Sequence, residues 1–460
     1  MPTRRTFLTG AAAGLAARAI AQPAPKWNLL IITNDQHRAD CLGCYGNPVI
    51  QTPHTDQLAS QGVRFGNHFV HAPQCVPSRV SLHTGRYPHV HRVPTNSYQL
   101  PDSEDTIAKV LNGAGYRTAC VGEMPFAPQP YTGGFQQVLA SNPEYNRFAS
   151  AHGLKHPADS GPFQCTPMPW TDDLDETAFF AQHARDFIQA NRETPFFLHV
   201  NFRRPHHPFN PPAPFDRMYL GAKFPPSHAR AGEMANKPPQ QKAALENSVG
   251  FDLRTMSAAD LDRVKAYYYG MISENDKYIG TILEQLKSAG LENRTIVVFN
   301  ADHGEMLGDH GLLFKGSYMY DGVVHVPLII RAPGKLPAGT VVDDLCEEVD
   351  VMPTLLYLLG VPAPIGVQGQ PLMSAKHKTT VFSEFPTIKM ARTREWKLVH
   401  YTKAKFGELY NLKDDPHELI NLWDDPAYAG RRAEMEGALF DWLASTADPK
   451  LAPLQSKPVG

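Results

Sequence analysis

Trp27-Asn28-Leu29-Leu30-Ile31-Ile32-Thr33 is a continuous apolar run, and Asn34-Asp35-Gln36-His37 follows it directly. A run of this length and composition fits a strand covered on both faces, as in a parallel sheet. The same pattern returns at Thr295 to Phe299 (TIVVF), which runs into Asn300-Ala301-Asp302-His303-Gly304-Glu305. Phe196 to Val200 (FFLHV) and Pro327 to Ile330 (PLII) are further short candidates for buried strands. Helical spacing or length marks Thr55 to Gln61, Asp105 to Gly113, Asp175 to Asn191, Leu261 to Ala289 and Val349 to Gly360. Strands alternating with helices predict an α/β fold with a central, mainly parallel sheet flanked by helices.

Beyond about Gly369 the pattern changes. Val381 to Glu384, Trp396 to Tyr401 and Glu408 to Tyr410 are short strand-like pieces between charged turns, and a helix is expected from Arg431 to Leu443. This predicts a small C-terminal α+β subdomain over 371–460, appended to a main α/β unit over 22–370. The proline-rich stretch Pro205 to Pro226 reads as a long surface loop, a kind that often carries function. At the other end, Thr3-Arg4-Arg5-Thr6-Phe7-Leu8 is a twin-arginine pattern, followed by an apolar stretch and Ala19-Ile20-Ala21. Residues 1–21 therefore read as a signal peptide for twin-arginine export, and the mature protein as periplasmic or secreted.

Composition removes several classes. The 460 residues carry 44 basic and 46 acidic side chains, so no global positive field favours nucleic acid. Six cysteines are too few for a disulfide-built scaffold. No apolar run approaches the roughly 18 residues of a membrane-spanning helix.

In doubly wound sheets, ligands bind beyond the carboxyl ends of the strands. Strands ending in Asp35-Gln36 and Asp302-His303 could set hard oxygen ligands and one ring nitrogen around a single cation, with Ca²⁺, Mg²⁺ or Mn²⁺ the natural choices. Acidic residues after strands also cap helices, so this pairing alone leaves both readings open.

A second element is His71-Ala72-Pro73-Gln74-Cys75-Val76-Pro77-Ser78-Arg79, followed by Ser81-Leu82-His83-Thr84-Gly85-Arg86. Cys-x-Pro-x-Arg followed by Thr-Gly-Arg resembles the type I sulfatases, formylglycine-dependent members of the alkaline phosphatase superfamily. Leu42-Gly43-Cys44-Tyr45-Gly46-Asn47, Gly115-Tyr116-Arg117-Thr118, Pro205-His206-His207-Pro208-Phe209 and Asp302 to Gly308 fall in family order. So do Lys315, Val326-Pro327-Leu328 and Glu408-Leu409-Tyr410-Asn411-Leu412.

The resemblance implies an alkaline-phosphatase-like fold and hydrolysis of a sulfate ester by a formylglycine made from Cys75. It implies one divalent cation, calcium first with manganese or magnesium as alternatives, on Asp35, Gln36, Asp302, His303 and the modified Cys75. Arg79 matches the arginine that holds the formylglycine hydrate. His206 and Lys315 match catalytic contacts to the transferred anion and leaving group, and Asn96 falls at a polar substrate contact. The implied partners are a small-molecule or carbohydrate sulfate ester and a formylglycine-generating enzyme. Glutamine at position 36 resembles the choline-sulfatase and phosphonate monoester hydrolase branches, so a phosphonate monoester or phosphodiester is the alternative substrate. The chemistry has a clear reason. A thiol attacks sulfur or phosphorus poorly, whereas an aldehyde hydrate offers one hydroxyl as nucleophile and a second whose deprotonation expels the product.

One block departs from the family. Sulfatases usually carry Gly-Lys-x-His where this chain has Gly122-Glu123-Met124-Pro125. Glu for Lys turns attraction into repulsion beside an anion. Three explanations stand open: a monoanionic or cation-bearing substrate that meets Glu123, a phosphonate or phosphate ester, or a catalytically impaired binding homologue. His83, His89 and His91 are the nearby histidines that could replace the lost proton donor. Cys41-x-x-Cys44 and Tyr267-Tyr268-Tyr269 read as packing. Cys120, Cys165 and Cys346 read as free thiols or one disulfide with a thiol left over.

Overall fold

The computed structural model describes residues 26–126, 131–140, 142–157, 161–374 and 377–448. The signal-peptide reading at 1–21 lies outside the described residues. Strands β1 (Asn28–Asn34), β2 (Val63–Phe69), β3 (Arg117–Gly122), β4 (Gln137–Leu139), β5 (Phe196–Phe202), β6 (Thr295–Ala301), β7 (Leu328–Arg331) and β8 (Thr340–Glu347) form one sheet. Their order is β4-β3-β5-β1-β6-β7-β2-β8. Every pairing is parallel except those of β7, which runs antiparallel to both β6 and β2.

The apolar run that opens β1 explains its central place. All seven residues are buried, and successive side chains pack to opposite faces. Leu29 and Ile31 join a core with α2 (Cys75–Thr84) and the helices Ile107–Gly113 and Val351–Leu359. Leu30 and Ile32 join a second core with α1 (Pro53–Ser60) and the helices Glu176–Ala190 and Ala258–Ser288. Two helical layers thus cover one sheet, and each fully buried large apolar side chain contributes roughly 1.5–3 kcal/mol. The longest helix starts at a capping box, in which Ser257 and Asp260 satisfy each other's backbone N–H groups.

Strands β9 (Val381–Phe385), β10 (Ile388–Arg392), β11 (Trp396–Tyr401) and β12 (Gly407–Asn411) form an antiparallel sheet in order β12-β11-β10-β9. One face packs on Phe69, Val70, Met319 and Val326 of the main unit. The other is covered by Met435, Leu439 and Trp442 of the helix Ala429–Ser445. The small sheet is therefore wedged against the main one, and the end of β9 reaches the carboxyl edge where the site lies.

Candidate active site

β1 lies between β5 and β6, and Asp35-Gln36 and Asp302-His303 follow the carboxyl ends of β1 and β6. Helix α2 aims its first residue, Cys75, at the same point. One ligand atom from each of Asp35, Cys75, Asp302 and His303 lies within 4.8 Å of the others, and all four residues are buried. Cys75 Sγ is 3.2 Å from His303 Nε2, which is 3.4 Å from Asp35 Oδ1. His303 Nδ1 donates to the Gly304 carbonyl at 2.9 Å, so the lone pair of the neutral ring sits on Nε2, facing the cluster. Burial, then nearby Lys315, holds the His303 pKa below its ordinary value, which keeps that ring neutral.

Two buried aspartates side by side need positive charge. Arg79, 1% exposed, supplies part of it: Nε donates to Asp302 at 2.8 Å and Nη2 to Asp35 at 2.5 Å. Its Nη2 also meets Glu123 Oε2 at 3.5 Å, and Nη1 reaches the Met124 carbonyl at 3.4 Å. Lys315 Nζ lies 3.3 Å from Cys75 Sγ and 3.1 Å from Gln36 Oε1. Burial opposes the lysine charge, but Cys75, Asp35 and Asp302 outweigh it and raise its pKa. Burial, then Asp35, pushes the Cys75 thiol's pKa well up, so the unmodified group is a weak nucleophile. The donor set of two carboxylates, a sulfur and a neutral imidazole, packed this closely, fits a divalent cation.

Gln36 occupies the left-handed region, with φ +65. A side chain there is strained by roughly 1–2 kcal/mol and persists where its neighbours hold it. Tyr268 OH donates to the Gln36 carbonyl at 2.6 Å, and Gln36 N donates to Asp302 Oδ1 at 3.1 Å.

A cleft of about 710 Å³ opens over this cluster and is lined by Cys75, Arg79, Asn96, Glu123, His206, His207 and Lys315, among others. His206 Nδ1 donates to the His207 carbonyl at 2.6 Å, and burial, then Lys315, drives its pKa well down. Asn96 Oδ1 accepts from Val76 N at 2.9 Å, which leaves Nδ2 as the group it can offer a ligand. Phe126, Val249 and Phe385 give the cleft apolar walls. Val249 and Phe385 carry no motif, and only the fold brings them here.

The replacement donors do not reach the cleft. His83 is buried against His199 at 3.1 Å, His89 pairs with Glu384 at 2.7 Å, and His91 meets Ser81 at 3.1 Å. All six cysteines are free thiols, which removes the disulfide option. Tyr268 packs as expected, yet its hydroxyl also supports Gln36, which no sequence pattern announced.

The sulfatase family model matches residues 27–361, and the chain belongs to that family. A second model, the C-terminal region of N-sulphoglucosamine sulphohydrolase, matches residues 308–444. The chain is 30% identical to an arylsulfatase of Clostridium perfringens, over 88% of this chain and 92% of that one. It is 28% identical to a multifunctional alkaline phosphatase superfamily protein of Trinickia caryophylli, over 94% and 98%. The crystal structure of the phosphonate monoester hydrolase of Agrobacterium radiobacter superposes with a TM-score of 0.86 at 29% identity, covering 93% of this chain and 97% of that one. The chain is thus a sulfatase-like hydrolase with the alkaline-phosphatase-type α/β fold. Among the described residues, no helix is long and apolar enough to cross a membrane.

Proposed function

We propose that this chain hydrolyses a sulfate ester through a formylglycine made from Cys75, beside one divalent cation, calcium first. The observation that carries the reading is the buried group of Asp35, Cys75, Asp302 and His303, with Lys315 Nζ 3.3 Å from the Cys75 sulfur. Asp35, Gln36, Asp302 and His303 would hold the cation together with residue 75. Formylglycine supplies a hydrated aldehyde as nucleophile, and the cation supplies Lewis acidity toward it and the transferred group.

The remaining work falls to the chain's own side chains. The amino end of α2 presents its dipole to the incoming anion. Lys315 places a positive charge on the reacting side of residue 75. Arg79 sets its guanidinium between Asp35 and Asp302 and holds both carboxylates in place. His206, with Nδ1–H committed to a carbonyl, presents a neutral Nε2 that would accept the proton shed by the attacking hydroxyl and pass that same proton to the leaving oxygen. Phe126 and Phe385 shield the leaving group from water.

A second reading is a phosphonate monoester or phosphodiester hydrolase using the same residues. It is favoured by Glu123, which puts a carboxylate where sulfatases carry lysine, and by the likeness to the Agrobacterium enzyme. Rates on aryl sulfate, phosphonate monoester and phosphodiester, measured side by side, separate the two readings. Cys75→Ala is expected to abolish all three. Equal rates in variant and parent would remove Cys75 as the nucleophile, and no turnover by the parent would leave the cleft as a binding site alone.

We also read the chain as exported by the twin-arginine route, with cleavage after Ala21. N-terminal sequencing of the mature protein tests that site, and a mature chain that keeps Arg4 and Arg5 would contradict it.

A further inference from the structure

An amide ligand sets a problem that a carboxylate does not. A carboxylate presents oxygen whichever way it turns, whereas a flipped glutamine presents N–H donors to a cation. The orientation of Gln36 must therefore be fixed by its surroundings. Its Nε2 carries two hydrogens and has two acceptors: the Glu305 carboxylate, and His207 Nδ1 at 3.2 Å. Its Oε1 accepts from Lys315 Nζ at 3.1 Å, so three partners agree on one orientation. With both N–H groups engaged, the oxygen is the atom left for the cation.

Both acceptors are themselves held. Glu305 is fully buried and accepts from Leu307 N at 3.0 Å and from Phe314 N. The His207 ring packs on those of His206 and Phe314, with centroids 4.1 and 4.4 Å away. Because Gln36 Nε2 is a donor, His207 must meet it with the lone pair on Nδ1, which places the ring hydrogen on Nε2.

We propose that Glu305 and His207 are positioning residues that lock the Gln36 amide with its oxygen toward the cation pocket. The proposal rests on the reading of Gln36 as a metal ligand. Partners behind a ligand typically contribute 10- to 100-fold in metal affinity.

The test is calorimetric titration of chelator-stripped protein with Ca²⁺ alone. Glu305→Gln keeps the shape but sets an N–H donor against the Gln36 Nε2, and is expected to weaken Ca²⁺ binding about 10- to 100-fold. In a Gln36→Asp background the same change should leave affinity unchanged or raise it, because a carboxylate needs a donor there and no orienting. His207→Phe keeps the ring packing, removes the acceptor, and should weaken Ca²⁺ only when Gln36 is present. Loss of affinity in both backgrounds, or in neither, would overturn the proposal. Gln36→Ala separates the two layers: unchanged Ca²⁺ affinity would overturn the metal-ligand reading, and the positioning role with it.

Discussion

At position 123 the carboxylate stands 3.5 Å from an arginine that already serves Asp35 and Asp302. A lysine there would add a second cation for the transferred group; the glutamate instead draws on the charge that exists. At a few ångströms and an effective dielectric near 20, such a reversal amounts to several kcal/mol. Because sulfatases usually carry Lys and His at these two places, Glu123→Lys combined with Pro125→His is expected to shift the ratio of kcat/KM for sulfate over phosphonate ester at least about tenfold toward sulfate, which needs only about 1.4 kcal/mol. An unchanged ratio in steady-state assays would show that this pair does not tune substrate choice. The meeting of Asp35, Cys75, Asp302 and His303 at one point was legible in the sequence because these residues follow apolar runs or sit in a spaced motif. Glu305, His207 and Tyr268 were not legible as supports, because a hydrogen-bond partner at long sequence separation is set by the fold and leaves no periodic trace.

Among the elements, β1, β5 and β6 were read within a few residues of their ends, since strands buried on both faces are written as continuous apolar runs. β2 (VRFGNHF) and β8 (TVVDDLCE) were missed, as polar residues and a glycine break their pattern. The PLII run was found, but nothing in its composition told that β7 is reversed. Helix α2 was missed for a different reason: all ten of its residues are buried, so it shows no amphipathic stripe, and Pro77 sits in its first turn, where proline is tolerated. The helix Val351–Leu359 presses α2 toward the sheet and shows how sharply burial decides energetics. Leu356 is fully buried, whereas its neighbour Tyr357 is 66% exposed. Leu356→Ala is expected to lower unfolding free energy by about 2–5 kcal/mol, and Tyr357→Ala to stay within about 0.5 kcal/mol. Urea unfolding measures both, and equal effects would mean that this helix does not seat as described.

Across the whole molecule, burial leaves an acid liability. His37 is pushed from 6.5 down to about 4, and His68, His83 and His91 to about 3, in each case mainly by burial. Above about pH 6.5 these rings are neutral in both folded and unfolded chains and do not make stability depend on pH. Below it the unfolded chain takes up protons that the folded chain refuses until about pH 3–4. These rings make stability fall on acidification, each by up to about 1.4 kcal/mol per pH unit, and outnumber the buried Glu274 and Glu348, whose raised pKa values work the other way. Urea midpoints should be level from about pH 8 to 7 and drop from about pH 6.5 to 5. A midpoint that rises over that lower interval would show these histidines charged in the native state. The α/β architecture and the separate C-terminal sheet were legible in the order of apolar runs, but the wedge that brings Phe385 to the cleft was not, because packing between the sheets depends on shape rather than local pattern.

Hydrolysis at this site depends on what residue 75 becomes. Mass spectrometry of the tryptic peptide 65–79, from protein co-expressed with a formylglycine-generating enzyme, reads that residue directly, and ester turnover on the same preparations gives its consequence. The peptide should carry an aldehyde in place of the thiol, with turnover rising in proportion to the converted fraction. Full turnover from protein whose Cys75 is wholly an unmodified thiol would contradict the account.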